Sequence, residues 1–316
     1  MNINTQSTSH RTLLRKAELS LSDLQTDGGY MNPEQAKQFI RAVVKQSQLL
    51  SQIYVHPMKS HTTELNLVKF GDRVLRPGTP GAALPAGDRV KPTTNKVNIV
   101  SELFKAEVDL QDEVLEDNIE SGNFKNTVLQ LLSERASLDI EDVVVNGDVL
   151  SLDPTLAVMD GVRKLTVSNQ HDFAGNDLNA DDLSDLLRAW PIRYRKMKKD
   201  ARILTSHNAE QDYRHSLAQR GTVAGDKFLL EGAPVLYAGV PIMPLDVWPE
   251  DLGAGNDQTD AILCPLKNIV LGFWRKVKVE IDRDVREGKY IIVLTVRFGV
   301  NLVEEEANVK GHTIQL

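Results

Sequence analysis

The chain reads as an α+β protein of elongated shape, on three observations. Residues 93–110 carry the two-residue period of a strand, with Phe104, Ala106, Val108 and Leu110 alternating against Lys105, Glu107 and Asp109. Residues 121–146 keep near-helical spacing through Phe124, Val128, Leu131, Leu132, Ala136, Ile140, Val143 and Val144, and Asn146-Gly147 ends the run. Tyr290 to Val296 is an almost unbroken apolar run, the pattern of a strand covered on both faces.

Composition narrows the class. A length of 316 residues suggests about two domains, or one large domain with insertions, and a core large enough to need no staple. The single cysteine, Cys264, excludes a disulfide framework within the chain and fits a reducing compartment. Lys and Arg total 37 against 44 Asp and Glu, a net charge of -7 that argues against nucleic acid as the main partner. Met1 to Arg11 lacks the apolar region of a signal peptide, and Gly232 to Trp248 carries Pro234, Pro241 and Pro244, which no spanning helix tolerates. A soluble protein made inside the cell, with no membrane partner, is expected.

The elements follow in order. Residues 1–27 are polar with a weakly amphipathic patch at Leu13, Leu14, Ala17, Leu19, Leu21 and Leu24, either a disordered tail or an arm that orders against a partner. Asn32 and Pro33 open a helix with Phe39, Ile40, Val43, Val44 and Leu50 on one face, broken at Pro57. Strands at 61–75 and 93–110 flank a tip from Arg76-Pro77-Gly78 to Gly87 that has too little apolar mass for a core. They form a long projecting hairpin, which is marginal alone and must lean on something else. The helix over 121–146 would be close to 40 Å long, at about 1.5 Å per residue. Beyond Pro154 come a helix at 180–190 capped by Asn179 or Asp181, a strand at 201–206, and a helix at 208–219. A Gly/Pro-punctuated strand segment at 228–243, a polar loop at 251–259 and strands at 276–282 and 290–303 complete the chain.

No catalytic set emerges. Phosphate-loop, dinucleotide, nucleophile-elbow and zinc-protease patterns are all missing, so no cofactor is expected. His56 with His61, and His207 with His215, lack the further ligands that a metal requires. Asp172 to Leu183 fails the calcium-loop pattern, because Asp177 stands where glycine is needed and Leu183 where glutamate is. One basic segment stands out: Arg188, Arg193, Arg195, Lys196, Lys198, Lys199 and Arg202, interleaved with Trp190 and Tyr194. Such a patch can contact phosphates with its aromatics stacking on bases, but the net negative charge favours a solvated helix end with its aromatics packed inward. Projecting features that cannot bury themselves imply a partner, most economically another copy of the chain.

The order of elements resembles the tailed-phage major capsid proteins of the Hong Kong 97 fold. Gly28-Gly29-Tyr30-Met31-Asn32-Pro33-Glu34 is similar to the family's lead into its first helix, and Leu115-Glu116-Asp117 to the run before its spine helix. Val145-Asn146-Gly147-Asp148 matches the end of that helix, and Pro191-Ile192-Arg193-Tyr194-Arg195 the axial domain's Pro-x-x-Tyr-Arg. Gly232-Ala233-Pro234-Val235 and the closing segment from Val296 to Val309 look like the family's turn and final strand.

The resemblance implies an arm and first helix at 1–60, an extended hairpin loop at 61–110, a peripheral domain with the spine helix at 111–160 completed by 265–316, and an axial domain at 161–264. It implies hexamers and pentamers closing into an icosahedral shell around phage dsDNA, assembled in the bacterial cytoplasm. The implied assembly residues are Leu13, Leu14, Leu67, Arg76, Pro77, Leu84, Arg89, Phe104 and Val108. Arg193, Arg195, Lys196, Lys198 and Lys199 would be a DNA-facing basic segment, with weak contact to the packaged dsDNA. Only 27 residues precede Gly28, so a separate scaffolding protein is expected, with a portal and decoration proteins as further partners. Glu287-Gly288-Lys289-Tyr290 lacks the asparagine of the family's isopeptide crosslink, so no crosslinking is expected. An encapsulin-like shell around protein cargo, or a nucleic-acid-binding oligomer, are the alternatives.

Overall fold

The computed structural model describes residues 47–70, 73–78, 81–111, 124–219, 234–274 and 278–316. The arm, the start of the first helix and Leu115-Glu116-Asp117 lie outside them. In chain order the strands are β1 (Tyr54–Met58), β2 (Thr62–Lys69), β3 (Thr93–Val100) and β4 (Glu102–Gln111), followed by helices α1 (Phe124–Asn146) and α2 (Val162–Leu165). Then come β5 (Gln170–Asp172), α3 (Ala180–Ala189), β6 (Ala201–Thr205), α4 (His207–Ala218), β7 (Leu236–Tyr237), β8 (Val240–Pro244) and β9 (Gln258–Pro265). The chain closes with β10 (Ile269–Trp274), β11 (Lys278–Asp284), β12 (Lys289–Leu302) and β13 (Val309–Gln315).

Two sheets and a ribbon result. The first sheet has the order β1-β10-β12-β11 with β4 also paired to β12, the second has β5-β13-β9-β6-β8-β7, and β2 pairs only with β3. The 14-residue β12 organises the first sheet. Ile292, Leu294, Val296 and Phe298 are buried along one face, while the residues between them are half-covered. Pro57, expected to break a helix, sits instead in β1, an edge strand parallel to β10. A proline is tolerated there because its missing N–H is not needed on the open side.

Helix α1 packs Ile140, Val143, Val144 and Val145 into a core shared with β10 and β12. The apolar stripe read from sequence holds at Ile140, Val143 and Val144, which are buried, and at Leu132 and Ala136, which pack beside them, whereas Leu131 is exposed and Ser133 and Ser137 take buried positions one turn apart. A second core lies in the other sheet, where Phe173, Leu183, Leu186 and Trp190 meet Ile203, Tyr213, Leu263 and Ile314. Asn179 caps α3 by accepting from the Asp181 and Asp182 amides, and Ser206 caps α4 through the Ala209 amide, so both helices start where their capping residues dictate.

Two expectations need correction. The strand expected over 93–110 is two strands: β3 pairs with β2, and β4 crosses to pair with β12. Ser101 makes the break, buried and bonded through both its amide and its hydroxyl to the His61 carbonyl. The projecting element therefore spans 62–100, and residues 102–111 belong to the first sheet. Likewise 265–316 does not all complete the first sheet, because β13 lies between β5 and β9 in the second. Its Val309 and Ile314 are buried there, and a side chain at Gly311 would collide with the Phe173 ring.

The two sheets are joined by a buried charge cluster. Arg163 donates Nε (3.1 Å) and Nη2 (2.9 Å) to the Asp260 carboxylate and Nη1 to Asn146 Oδ1 at the end of α1. Lys310 adds a second cation 3.3 Å from Asp260, and Asn146 Nδ2 donates to the Val247 carbonyl. A carboxylate only 2% exposed is sustainable because two cations and the Arg163 fork satisfy it.

Candidate assembly surface

The hairpin behaves differently at its base and at its tip. At the base, Ile99 is buried with Met58 and Val270, and Leu65 packs against them. Gly299 lets the ribbon approach the sheet: any Cβ there would run into the Val100 carbonyl oxygen. Asn301 Nδ2 adds a hydrogen bond to the Asn98 carbonyl at 2.8 Å. The ribbon thus leans on its own chain, which answers why two strands alone persist here.

Farther out, Lys69 Nζ lies 3.0 Å from Glu304. Glu304 also accepts from the Tyr194 hydroxyl, while its amide donates to Asn268 Oδ1 at 2.8 Å. One carboxylate therefore ties the ribbon to the turn after α3 and to the link between β12 and β13. Burial alone would push the Glu304 carboxyl up, but the Tyr194 hydrogen bond and Lys69 outweigh it and hold it below the ordinary carboxylate range.

Beyond Lys69 the support ends. Residues 73–78 and 81–85 are exposed, with Leu75 89% accessible and Val74 and Phe70 more than half so. Arg76, Pro77 and Leu84 are among these exposed residues, as their assignment to an assembly surface requires. Arg89 braces the tip internally, donating Nε to the Leu84 carbonyl at 3.1 Å. Leu67 is half-buried on the ribbon. Leu13 and Leu14 lie outside the described residues. Phe104 and Val108 do not fit: both pack on the first core, and Phe104 stacks on Phe298 with ring centroids 4.5 Å apart. Their apolar faces are covered by their own chain, because β4 belongs to the sheet and not to the ribbon.

The basic segment splits in a similar way. Trp190 and Tyr194 are buried, Trp190 Nε1 donating to the Ala307 carbonyl at 2.8 Å, so neither is available for stacking. Arg193 pairs with Glu306 and lies over the Tyr194 ring, and Arg195 donates to the Trp190 and Arg188 carbonyls. Lys196 and Lys199 are exposed and Lys198 half-buried, and none has a carboxylate partner among the described residues.

Sequence reasoning missed a second exposed apolar feature. After α1 the chain turns through 148–157, with Val149, Leu150 and Leu152 at 55, 81 and 102% accessibility. The segment is well fixed: the Leu150 amide bonds to Asp148 Oδ1, that of Val149 to Asp160 Oδ1, and that of Asp148 to the Leu156 carbonyl. Its signal was two leucines and a valine among turn formers, which read as an ordinary helix end.

No described residues form a catalytic or metal-holding set. His207 bonds to Asp246 and His215 to Gln219, and no group of three potential ligands occurs among the described residues. A cleft of about 340 Å³ beside Arg163 and Lys164 has its charges paired, Lys164 with Asp148 and Lys310 with Asp260.

Comparison with known proteins bears on this arrangement. No protein-family model matches the chain. YqbE of Bacillus subtilis (strain 168), assigned as a prophage capsid protein, is 36% identical over 305 residues, covering 95% of this chain and 97% of its own. Among solved structures, the satellite phage P4 procapsid including its size determination (Sid) protein matches with a TM-score of 0.69 at 10% identity, over 99% of this chain and 98% of that one. The capsid of an empty GTA particle gives 0.62 at 14% identity over 85 and 90% of the two chains. The holo-SrpI encapsulin complex from Synechococcus elongatus PCC 7942 gives 0.57 at 14% identity over 94 and 96%.

Proposed function

Because the chain belongs to the phage capsid proteins and has the Hong Kong 97 fold, we propose that it is a major head protein whose copies tile through hexamers and pentamers into an icosahedral shell around packaged dsDNA. The observation that carries this reading is the hairpin, anchored to its own sheet at the base and presenting Val74 and Leu75 to water at the tip. Exposed apolar groups at the end of an anchored ribbon favour contact with another surface. Shell stability would then come from many modest interfaces repeated around the particle. A net charge of -7 suits a container wall, to which DNA should adhere only weakly.

A structural role without catalysis accords with the paired charges of the described clefts. The encapsulin likeness, at 14% identity, speaks for the fold, whereas the 36% identical relative favours a phage shell over a cargo shell. Scaffolding, portal and decoration proteins, and assembly in the bacterial cytoplasm, belong to the same proposal. Within the basic segment Lys196 and Lys199 are exposed without a carboxylate partner among the described residues, while Arg193 and Arg195 are exposed but already bonded within the chain.

The test is light scattering with negative-stain microscopy on the purified chain, alone and with its neighbouring phage proteins. Closed shells, or capsomers that close when scaffold is added, are expected; a monomer or dimer under every condition overturns the reading. Denaturing gels of the shells should run as monomer, and a covalent ladder would contradict the absence of crosslinking.

A further inference from the structure

The sequence holds a single Asn-Gly pair, Asn146-Gly147, at the end of α1. The fold leaves no freedom at either position. The Asn146 amide donates Nδ2 to Asp142 Oδ1 and to the Val247 carbonyl, each at 2.6 Å, and its Oδ1 accepts from Arg163 Nη1 at 3.0 Å. A carboxamide, which donates twice and accepts as well, serves all three partners, and a carboxylate does not. Gly147 is buried, and a Cβ there would lie 2.4 Å from the Met159 carbonyl oxygen and 2.6 Å from that of Val143. Gly161 faces it, donating its amide to the Gly147 carbonyl at 2.8 Å, and has no room for a Cβ either. A bulkier residue after Asn146 would slow attack on its side chain, and none fits.

In an open chain such a pair is labile, because glycine puts no side chain in the way of its own nitrogen. The Gly147 nitrogen attacks Asn146 Cγ: the N–Cγ bond forms, the Cγ–Nδ2 bond breaks, and ammonia leaves with the proton of the Gly147 amide. Water then adds to one of the two carbonyls of the succinimide and reopens the ring as aspartate or isoaspartate. In the folded chain both reacting groups are engaged. The Gly147 N–H donates to the Val143 carbonyl at 3.0 Å, and the Asn146 carboxamide is held by its three partners. We infer that Asn146-Gly147 is a modification site closed by folding and opened when the end of α1 comes apart, so that its conversion withdraws opened chains irreversibly. Aspartate would turn its oxygens toward Asp142 Oδ1 and the Val247 carbonyl, with only the Arg163 contact in its favour. Isoaspartate would add a main-chain carbon beside Gly147, where there is no space for one. The inference stands on the fold alone, whether or not copies close into a shell.

The experiment holds the full chain at mildly alkaline pH, in buffer and in unfolding guanidinium chloride, and follows the change from amide to acid at Asn146 by peptide mass mapping. Conversion about a hundredfold slower in buffer is expected, the factor of a rarely populated local opening. A ratio below about tenfold overturns the closure, and no conversion in guanidinium overturns the site itself. Asp142→Ala, at a half-buried position, removes one acceptor of Asn146 Nδ2. It should raise the rate in buffer about fivefold and leave the guanidinium rate unchanged. An unchanged rate in buffer would mean that the side-chain bonds do not close the site. Asn146→Asp stands for one product. A melting temperature lower by about 3 to 6 °C, or failure to fold, is expected. A variant that melts with the unsubstituted chain would show that conversion is harmless, and the withdrawal of opened chains would be wrong.

Discussion

The junction between the two sheets and the tip of the hairpin invert the ordinary rule of what a protein hides. At the junction Asp260, Arg163 and Lys310 are charged yet drawn inside, and every charge has its partner. At the tip Val74 and Leu75 are apolar yet face water. Burying charge is tolerable only where geometry is complete within one chain. Displaying leucine is useful only where completion lies in another chain. The difference separates what a single copy has finished from what it leaves for assembly.

Asp260→Ala tests the finished side most severely. It strands Arg163 and Lys310 in a buried site and should cost about 3 to 5 kcal/mol in urea unfolding. A loss below about 1 kcal/mol would mean that the cluster is solvated, and the contrast would weaken. Phe104→Ala comes next, at about 3 kcal/mol, the low end for a phenylalanine because this one is only partly buried. A mere assembly defect with unchanged unfolding would return Phe104 to the interface list.

Glu304→Gln probes the boundary between the two regions. It should loosen the ribbon by about 1 kcal/mol, seen as faster amide exchange at Leu65 and Val97 with little change in α3. Because Glu304 titrates below the ordinary range in the folded chain, its contribution is present above about pH 4.3 and is lost as pH falls through the lower folded value. The substituted ribbon should lose that acid sensitivity. Cys264 gives a sharp yes-or-no reading of the inside: burial pushes its thiol up to about 12, so it should ignore thiol reagents at pH 8 until the chain unfolds. The smallest effect belongs to the tip, where Leu75→Ser should move the stability of the unassembled chain by less than about 0.5 kcal/mol.

Much of this was legible in the sequence because period and capping are local. Asn179 announced its helix, and the alternation of 104–110 announced β4, whereas Ser206, read as the end of a strand, turned out to cap α4. Partner choice was not legible in the same way. The break at Ser101 did leave a trace: Val97 and Ile99 face inward at odd positions, whereas Phe104, Ala106 and Val108 do so at even ones. One strand cannot change parity without a bend or bulge. The face of α1 was legible through Leu132, Ala136, Ile140, Val143 and Val144 but not at Ser133 and Ser137, which point inward while Leu131 does not, because no hydropathy pattern selects serine over leucine for a core. The exposed loop position of Arg76 and Leu84 was legible because proline and glycine marked the loop, while Leu150 and Leu152 escaped notice because a helix end already explained their neighbourhood.

The return of β13 to the second sheet, after β10 and β12 have built the first, sets a schedule for synthesis. β12 is the strand on which β4, β10 and β11 converge, and β13 is an interior strand between β5 and β9. The first sheet cannot close until the ribosome has passed residue 302, nor the second until it has passed residue 315, and these pairings join segments far apart in sequence, the slow kind to form. At about 5 to 20 residues per second, a nascent chain would carry its hairpin for roughly 10 to 40 seconds before the sheet that anchors it exists. A ribosome-bound copy would thus have no fixed tip to offer, and encounter between copies would be deferred until each is released whole.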